Sequence, residues 1–160
     1  MAKKQTRNLL IIGLIAGAIL WIGQRTVALI SFGSPSMRIQ KVTLNGIEMR
    51  ITLPVMNQSD IPAPVSAFLG DLLYNGSSLG VLSLVNPVTL PGFGQTTLEF
   101  RLVSGLLGTA YEIVNILTNG DPIGGWKNIN YNNVDWSKFT LRGTLKVGAL
   151  PVPVNTKLLG

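Results

Sequence analysis

The sequence predicts a mostly β domain, arranged as a β-sandwich with one α-helix and preceded by a single N-terminal transmembrane helix. Three observations lead to this fold class. Apolar and polar residues alternate in several short runs, separated by turn signals about every 8–12 residues, which is typical of a sandwich. One run instead has its apolar residues at helical spacing. A long apolar run without charge precedes both patterns.

The composition fits one domain with an apolar appendage. The chain has 160 residues, of which 46% are hydrophobic and only 12% are charged. Soluble domains average about 25% charged residues, and part of the deficit lies between Arg7 and Arg25, where no residue is charged. The net charge of +6 is concentrated in the N-terminal segment, so the remaining domain has nine basic residues against seven acidic ones. No basic stripe with interleaved aromatics is present, which argues against nucleic-acid binding.

The uncharged run is long enough to predict a membrane anchor. The positions from Asn8 to Gln24 span roughly 25 Å as a helix, and the usual range for a membrane helix is about 17–25 residues. Basic residues cluster before the run, so the positive-inside rule places the N-terminus in the cytoplasm and the domain outside. We assign residues 1–32 to the anchor, 33–36 to a linker and 37–160 to the domain. The residues that we assign to the membrane-spanning part of this anchor include Leu9, Ile12, Gly13, Gly17, Leu20 and Trp21.

A cleaved signal peptide is the alternative interpretation of this segment. A cleaved signal peptide would end at Ala16-Gly17-Ala18 and expose Ile19 as a new terminus. We prefer the anchor, because that cut leaves a short apolar core and an apolar new N-terminus.

Gly13 and Gly17 have the spacing that lets two membrane helices approach closely and form a homo-oligomer. Glycine is common in membrane helices, however, so the pair also fits chance.

The strand and helix predictions follow from periodicity and turn residues. Asn45-Gly46 and Asn75-Gly76 predict hairpin turns. Ser104 and Asn119-Gly120 predict the start and end of a helix over 104–118. The face formed by Leu98, Phe100, Phe139, Leu141 and Leu145 predicts part of the core. Strands are predicted at 38–44, 47–55, 65–74, 79–85, 96–103, 139–147 and 152–158.

Two similar phrases adjoin these strands, Ile61-Pro-Ala-Pro-Val65 and Leu150-Pro-Val-Pro-Val154. Proline has no backbone N–H to donate to a ladder, so within sheets it is confined to edges, strand starts and bends. Both phrases therefore predict sheet edges or corners, where they would also discourage edge-to-edge aggregation.

The stretch Ile51-Thr-Leu-Pro-Val-Met-Asn-Gln-Ser-Asp-Ile-Pro-Ala-Pro-Val65 and the later Leu73-Tyr-Asn-Gly-Ser-Ser-Leu-Gly80 resemble the late-embryogenesis-abundant (LEA) type 2 domain, also called the water-stress and hypersensitive-response domain. The closing run Leu141–Val147 and the final Pro-Val-Pro-Val are similar to that family's last strands. The family's strand ends in Asn-Pro-Asn, whereas this chain has Asn57-Gln58-Ser59. The resemblance implies a fibronectin- or immunoglobulin-like sandwich with one helix and no catalytic residues. It also implies stress protection, and some relatives are membrane-anchored or suspected of handling lipid.

The residue inventory predicts no enzyme, no cofactor and no metal. The chain has no cysteine and no histidine, which removes disulfides, the usual soft or imidazole metal ligands and the common nucleophile–base pairs. The seven acidic residues form no catalytic motif. Asp60 and Asp121 are predicted to occupy turns, which Asp favours.

The residues leave two classes of function. We favour a non-catalytic structural or interaction protein, anchored by one span in a cell envelope or in a membrane-containing virion, with the bilayer and neighbouring proteins as partners. The alternative is a lipid-binding or lipid-transfer module, or a stress-protective LEA type 2 protein. The loop 121–138 carries Trp126, Tyr131 and Trp136, which predict a contact surface; these aromatics alternatively fold back over the core.

Overall fold

The computed structural model describes residues 29–104 and 108–158, which form nine antiparallel strands and one α-helix. The strands are β1 (Ile30–Phe32), β2 (Ser36–Thr43), β3 (Gly46–Asn57), β4 (Ala63–Tyr74), β5 (Ser77–Leu84), β6 (Val88–Leu90), β7 (Gln95–Ser104), β8 (Phe139–Val147) and β9 (Leu150–Lys157). The helix α1 is Thr109–Leu117, and three 3-10 helices follow it at Gly125–Asn128, Tyr131–Asn133 and Trp136–Lys138. A mostly β domain with one helix is therefore confirmed for the described part of the chain.

All nine strands belong to one sheet. Its order is β1-β3-β7-β5-β4-β8-β9, with β2 also paired to β3 and β6 also paired to β4. Strands β1, β2, β3 and β7 form one half of the sheet, and β4, β6, β8 and β9 form the other. Strand β5 connects these halves, because it pairs with β4 as far as Leu82 and with β7 from Leu82 to Leu84. The two predicted layers are thus continuous through β5, and the sheet curves around a common interior.

The core consists of the inward residues of both halves. Leu98, Phe100, Phe139, Leu141 and Leu145, the predicted core face, are each at most 1% exposed, which confirms that prediction. The Phe68 and Phe100 rings, from β4 and β7, lie 4.7 Å apart. The Phe68 ring also covers a place where β4 and β8 carry facing glycines, Gly70 and Gly143, and a Cβ on either would collide with that ring. The glycines therefore make room for an aromatic side chain that joins the halves.

The predicted helix start is wrong. Strand β7 continues through Ser104, which pairs with Ile47 of β3, so Ser104 belongs to the sheet and is not the first residue of the helix. The helix begins at Thr109, after Gly108 with φ 58°. The predicted end is confirmed, because Asn119 and Gly120 adopt φ values of 53° and 87°, which is how helices commonly end.

The hairpin turns agree with the sequence in one case of two. Asn75 and Gly76 both have positive φ and link β4 to β5, as a type I′ turn requires. The first turn lies one residue earlier than predicted, at Leu44 and Asn45, because Gly46 already pairs with Thr43.

The sheet begins earlier than the predicted domain boundary. Residues Ile30 to Phe32, assigned above to the anchor, form β1 and pair with the last residues of β3. The predicted linker at 33–36 is held as well, since the Gly33 N–H donates to the Pro54 carbonyl at 2.8 Å. The anchor positions Leu9, Ile12, Gly13, Gly17, Leu20 and Trp21 lie outside the described residues. Within 29–104 and 108–158, no helix is both long and apolar enough to cross a membrane.

The second proline phrase occupies an open edge, as predicted, whereas the first lies at the start of β4, beside β6. The Leu158 N–H donates to Phe139 of β8, and main-chain direction alternates along a strand, so Pro151 and Pro153 face the open edge of β9 with no N–H to offer. Pro64 lies at the start of β4, where its carbonyl accepts from Gly148 at 2.7 Å beyond the end of β8. Pro151 and Pro153 therefore remove N–H groups only from the open edge, and Pro64 lies just beyond the last paired residue of β8.

Candidate contact end of the sheet

The connections of the sheet gather at two ends. We call the end where the chain enters the sheet the entry end, comprising Leu29 and residues 58–62, 91–94 and 148–149. We call the other the helix end, comprising the turns at 44–45 and 75–76, helix α1 and residues 118–138. The two ends follow from the antiparallel strand directions, and they differ in chemistry.

A buried asparagine organises the entry end. Asn57, the last residue of β3, is fully buried. Its Nδ2 donates to the Ile61 carbonyl at 2.8 Å, and its Oδ1 accepts from the Ser59 N–H at 3.0 Å. The Ser59 hydroxyl in turn accepts from the Ile61 N–H at 2.9 Å. We call residues 57–61 the asparagine knot, because these bonds close the chain on itself and fix the path from β3 to β4.

The knot holds two other parts of the chain. The Gln58 N–H donates to the Leu29 carbonyl at 2.9 Å, which fixes the point of entry. The Ser59 carbonyl accepts from the Phe93 N–H at 2.7 Å, and the Asn57 N–H donates to the Gly94 carbonyl at 2.9 Å, which fixes the loop 91–94. Leu29, the asparagine knot and the loop 91–94 therefore form one hydrogen-bonded unit.

Phe93 has an unusual conformation within this unit. It has φ 49°, a left-handed conformation that costs a residue with a Cβ roughly 1–2 kcal/mol. Glycine would avoid that cost, and glycines occupy both neighbouring positions. Those positions need glycine for space, since a Cβ on Gly92 would collide with the Asp60 carbonyl and one on Gly94 with the Pro91 ring. The Phe93 side chain is nevertheless 75% exposed. The loop is therefore built tightly against the knot, and it holds an aromatic ring outward.

The surroundings of Phe93 are apolar and almost uncharged. Ile61 and Met56 are also exposed large hydrophobic residues at or beside this end. Asp60 is the sole charged residue among the entry-end residues defined above. A rigid surface that exposes apolar side chains and carries a single charge suits contact with another apolar surface.

The predicted contact aromatics lie at the helix end and are partly buried. Tyr131 and Trp136 stack with their rings 6.1 Å apart, and Trp136 lies 5.9 Å from the ring of Phe139. The Tyr131 hydroxyl accepts from the Ile39 N–H at 3.1 Å, and Trp136 Nε1 donates to the Tyr131 carbonyl at 3.2 Å. Trp126 lies on a separate 3-10 helix and packs against the core. These contacts fit the alternative that the aromatics fold over the core; their contact with a partner stays a prediction.

A hollow of about 200 Å³ lies between α1 and the sheet at the helix end. Its lining is mainly apolar, with Asp135 and Lys138 at the rim: Tyr74, Ile113, Ile116, Leu117, Val134, Asp135, Lys138 and Phe139. Asp135 accepts a 2.6 Å hydrogen bond from the Ser137 hydroxyl and lies 3.5 Å from the Lys138 ammonium. The Ser137 hydrogen bond, with a smaller contribution from Lys138, lowers the pKa of Asp135. That carboxylate is a surface feature of the loop.

The other acidic side chains with assigned partners have structural roles. Glu48 pairs with Arg101 at 2.8 Å and Glu99 with Arg50 at 3.7 Å, across neighbouring strands on the outer face of the sheet. Asp121 accepts from the Gly124 N–H at 2.9 Å, which confirms the predicted turn role. Within the described ranges, no three residues of the types His, Cys, Asp and Glu lie close enough to share a metal ion.

Sequence reasoning missed the entry end as a site. It singled out Asn57-Gln58-Ser59 as a family signature but assigned these residues no contacts. A signal for Phe93 was present: Pro91 is followed by an aromatic residue between two glycines, Gly92-Phe93-Gly94, which is an unusual composition for a tight loop. What could not be predicted is that the loop is held to the asparagine knot, because that contact joins residues more than 30 positions apart.

Comparisons with known proteins leave the family open. No protein-family model matches the chain, and no curated protein matches its sequence. A crystal structure of a protein from Archaeoglobus fulgidus overlaps with 79% of this chain and 92% of its own, at 17% identity and a TM-score of 0.49. A solution structure of a candidate LEA protein overlaps with 96% of this chain and 83% of its own, at 15% identity and a TM-score of 0.43. Neither similarity reaches a TM-score of 0.5, so neither carries a conclusion about function.

Proposed function

We propose that this protein is a non-catalytic interaction domain that its N-terminal apolar segment holds at a membrane. It would work in a cell envelope or in a membrane-containing virion. Its partners would be the bilayer and proteins in the layer next to it. The N-terminus would lie in the cytoplasm and the domain outside.

The observation that carries this proposal is the hydrogen bond that attaches Leu29, directly before β1, to the asparagine knot. The uncharged run ends at Arg25, and by Leu29 the chain is already bonded to the asparagine knot. Between those points only three residues intervene, which reach about 10–14 Å when extended. A domain tied so closely to a membrane span would stay beside the headgroups, with its entry end toward them.

The chemistry of the side chains supports a non-catalytic role. The chain has no histidine or cysteine to act as a nucleophile or base near neutral pH. The pairs of Glu48 with Arg101 and of Glu99 with Arg50 cross-link neighbouring strands on an exposed face. Exposed pairs of this kind stabilise the sheet only weakly.

The resemblance to the LEA type 2 family is part of this proposal. The family's signature is a strand that ends in Asn-Pro-Asn, and here β3 ends at Asn57. The buried amide of Asn57 gives that position a structural reason, because it closes the connection to the next strand.

Flotation of the full chain with phosphatidylcholine vesicles tests the proposal. We expect the protein to stay with the vesicles after an alkaline wash that removes peripheral proteins. The control replaces Ile12 and Leu20 with Asp, since each charge at the centre of a span costs about 2.5–3.5 kcal/mol, and should leave the protein in the wash. Release of the unaltered protein, or a mature chain that begins near Ile19, would overturn the anchor.

The lipid-carrier alternative can be tested at two hollows: an open one of about 290 Å³ between the 44–45 turn and the end of β7, which is also below the range of ligand pockets, and the hollow beside α1. Its volume of about 200 Å³ is below the roughly 300–1,000 Å³ typical of ligand pockets, so it does not favour this alternative. Transfer of labelled lipid between two vesicle populations by the purified protein would support the carrier function over the one proposed. The stress-protective alternative would instead show as protection of a labile enzyme during drying.

A further inference from the structure

We infer that Phe93 and Ile61 form an apolar tip that enters the headgroup region of the bilayer. This inference rests on the proposed membrane attachment and goes beyond it. Attachment fixes only that the domain is near the membrane. The tip would determine which surface of the domain meets lipid and how the sheet is oriented.

The first argument is position. The chain leaves the apolar segment and meets the sheet at Leu29, whose carbonyl accepts from Gln58. The next residue of the knot, Ser59, accepts from the Phe93 N–H. Two neighbouring residues thus hold both the root of the apolar segment and the loop that carries Phe93. Wherever the segment enters a bilayer, Phe93 is at the same end of the sheet.

The second argument is chemistry. Phe93 is 75% exposed, and Ile61 directly follows Asp60, the residue whose carbonyl closely approaches Gly92 of the Phe93 loop. The two side chains therefore belong to adjoining connections. Apolar groups at the boundary of headgroups and acyl chains are buried about 5–10 Å deep, which a single phenyl ring can reach. Because Asp60 is the sole charge at the entry end, a zwitterionic surface is the natural occupant.

The third argument is the conformation of Phe93. A residue with a Cβ at φ 49° conflicts with local preference, and conflicts of this kind are expected at functional sites. The ring gains little from the domain itself, since most of it is exposed. Contact with lipid would bury the ring and offset the strain.

Site-specific fluorescence tests the tip. The chain has no cysteine, so Phe93→Cys creates a single attachment point for an environment-sensitive dye. The matched control is Leu44→Cys, which is 85% exposed and lies in a turn at the opposite end. Both full-length variants are placed in phosphatidylcholine vesicles that contain lipid with a nitroxide on the headgroup. We expect several-fold stronger quenching of the dye at residue 93 than of the dye at residue 44.

The outcomes distinguish a wrong tip from a wrong membrane attachment. Ile61→Cys serves as a second probe if the Phe93 variant folds poorly, as judged by circular dichroism, and should also be quenched. Equal quenching at both ends, or stronger quenching at residue 44, would overturn the inference. So would a dye at residue 93 that stays unquenched in chains that float with vesicles, which would point to water or a protein there. Chains that fail to float would instead contradict the proposed attachment.

Discussion

The two ends of the sheet treat their aromatic residues in opposite ways. At the helix end, Tyr131 and Trp136 stack on one another, Trp136 packs against Phe139 at a tilt, and the polar atoms of both residues are bonded to the main chain. At the entry end, Phe93 extends into solvent from a left-handed backbone conformation. The helix-end loop is long and irregular, and the entry-end loop is short and closely held.

The helix-end aromatics contribute to stability, whereas Phe93 remains available for recognition. Aromatics on a long loop can reach the core, and burying them stabilises the loop and covers the edge strand β2 through Ile39. A short loop fixed by an asparagine knot has no such freedom, so the ring it carries remains available to a partner.

Removing a core aromatic should destabilise both ends together. Phe100→Ala deletes a ring that is fully buried against Phe68, so we expect a loss of roughly 3–5 kcal/mol in the free energy of unfolding. Urea denaturation provides the measurement. The same truncation at Phe93, which is exposed, should cost far less, and similar losses at the two sites would mean that Phe93 is packed.

Opening the asparagine knot should damage the entry end selectively. Asn57→Ala removes both side-chain bonds and leaves the Ile61 carbonyl without its donor, which should cost about 1–3 kcal/mol. Amide hydrogen exchange should rise at Phe93 and at Gln58, and stay unchanged at Ile39. Asn155→Ala, on the exposed face of β9, is the control; an equal effect there would show that the knot is not special.

Removing one hydroxyl should loosen the helix end. Tyr131→Phe keeps the stacked ring and deletes the acceptor of the Ile39 N–H, so we expect a loss of about 1 kcal/mol and faster exchange of the Ile39 amide. Tyr111→Phe on α1 removes an exposed hydroxyl and should be neutral. If exchange at Ile39 does not change, the loop does not protect the edge of β2.

Relieving the strain at Phe93 should stabilise the domain slightly. Phe93→Gly removes a cost of about 1–2 kcal/mol for the left-handed conformation and adds about 0.4–1 kcal/mol of chain entropy in the unfolded state. A net gain of up to about 1.6 kcal/mol should appear as a higher denaturation midpoint. Asn119→Gly, at φ 53° in the helix end, should gain less because asparagine tolerates this conformation. A clear loss at Phe93 would show that its ring supports the fold.

The smallest effect concerns Asp135 at the helix end. Ser137→Ala removes the hydrogen bond that is the main reason for its lowered pKa, so that pKa should rise toward 3.8, as an NMR titration would show. A lowered pKa stabilises the fold above the unfolded value, and this contribution is lost as the pH falls through the folded value. The difference in stability between variant and parent should therefore be present near neutral pH and vanish in acid. Ser78→Ala is the control and should leave the Asp135 titration unchanged.

Local patterns were sufficient for most of the strands and for the core face. The alternation around Leu98 and Phe100 predicts burial because side chains on a strand point to opposite faces in turn, whatever the strand pairs with. The prolines at 151 and 153 predict an open edge for a similar reason, since a missing N–H is a property of the residue itself. Asn75-Gly76 likewise predicts its own turn.

Contacts between distant parts of the chain decided the rest. Ser104 became a strand residue because Ile47 offered it a partner, and Ile30 joined the sheet because the end of β3 was free to pair. The exposed position of Phe93 depends on Ser59, and the burial of Tyr131 depends on Ile39. The sequence alone determined which residues prefer the interior and where the chain turns, because those are local properties. Only the tertiary structure decided which end carries an apolar tip, because hydrogen bonds between separate loops set the direction in which each aromatic ring points.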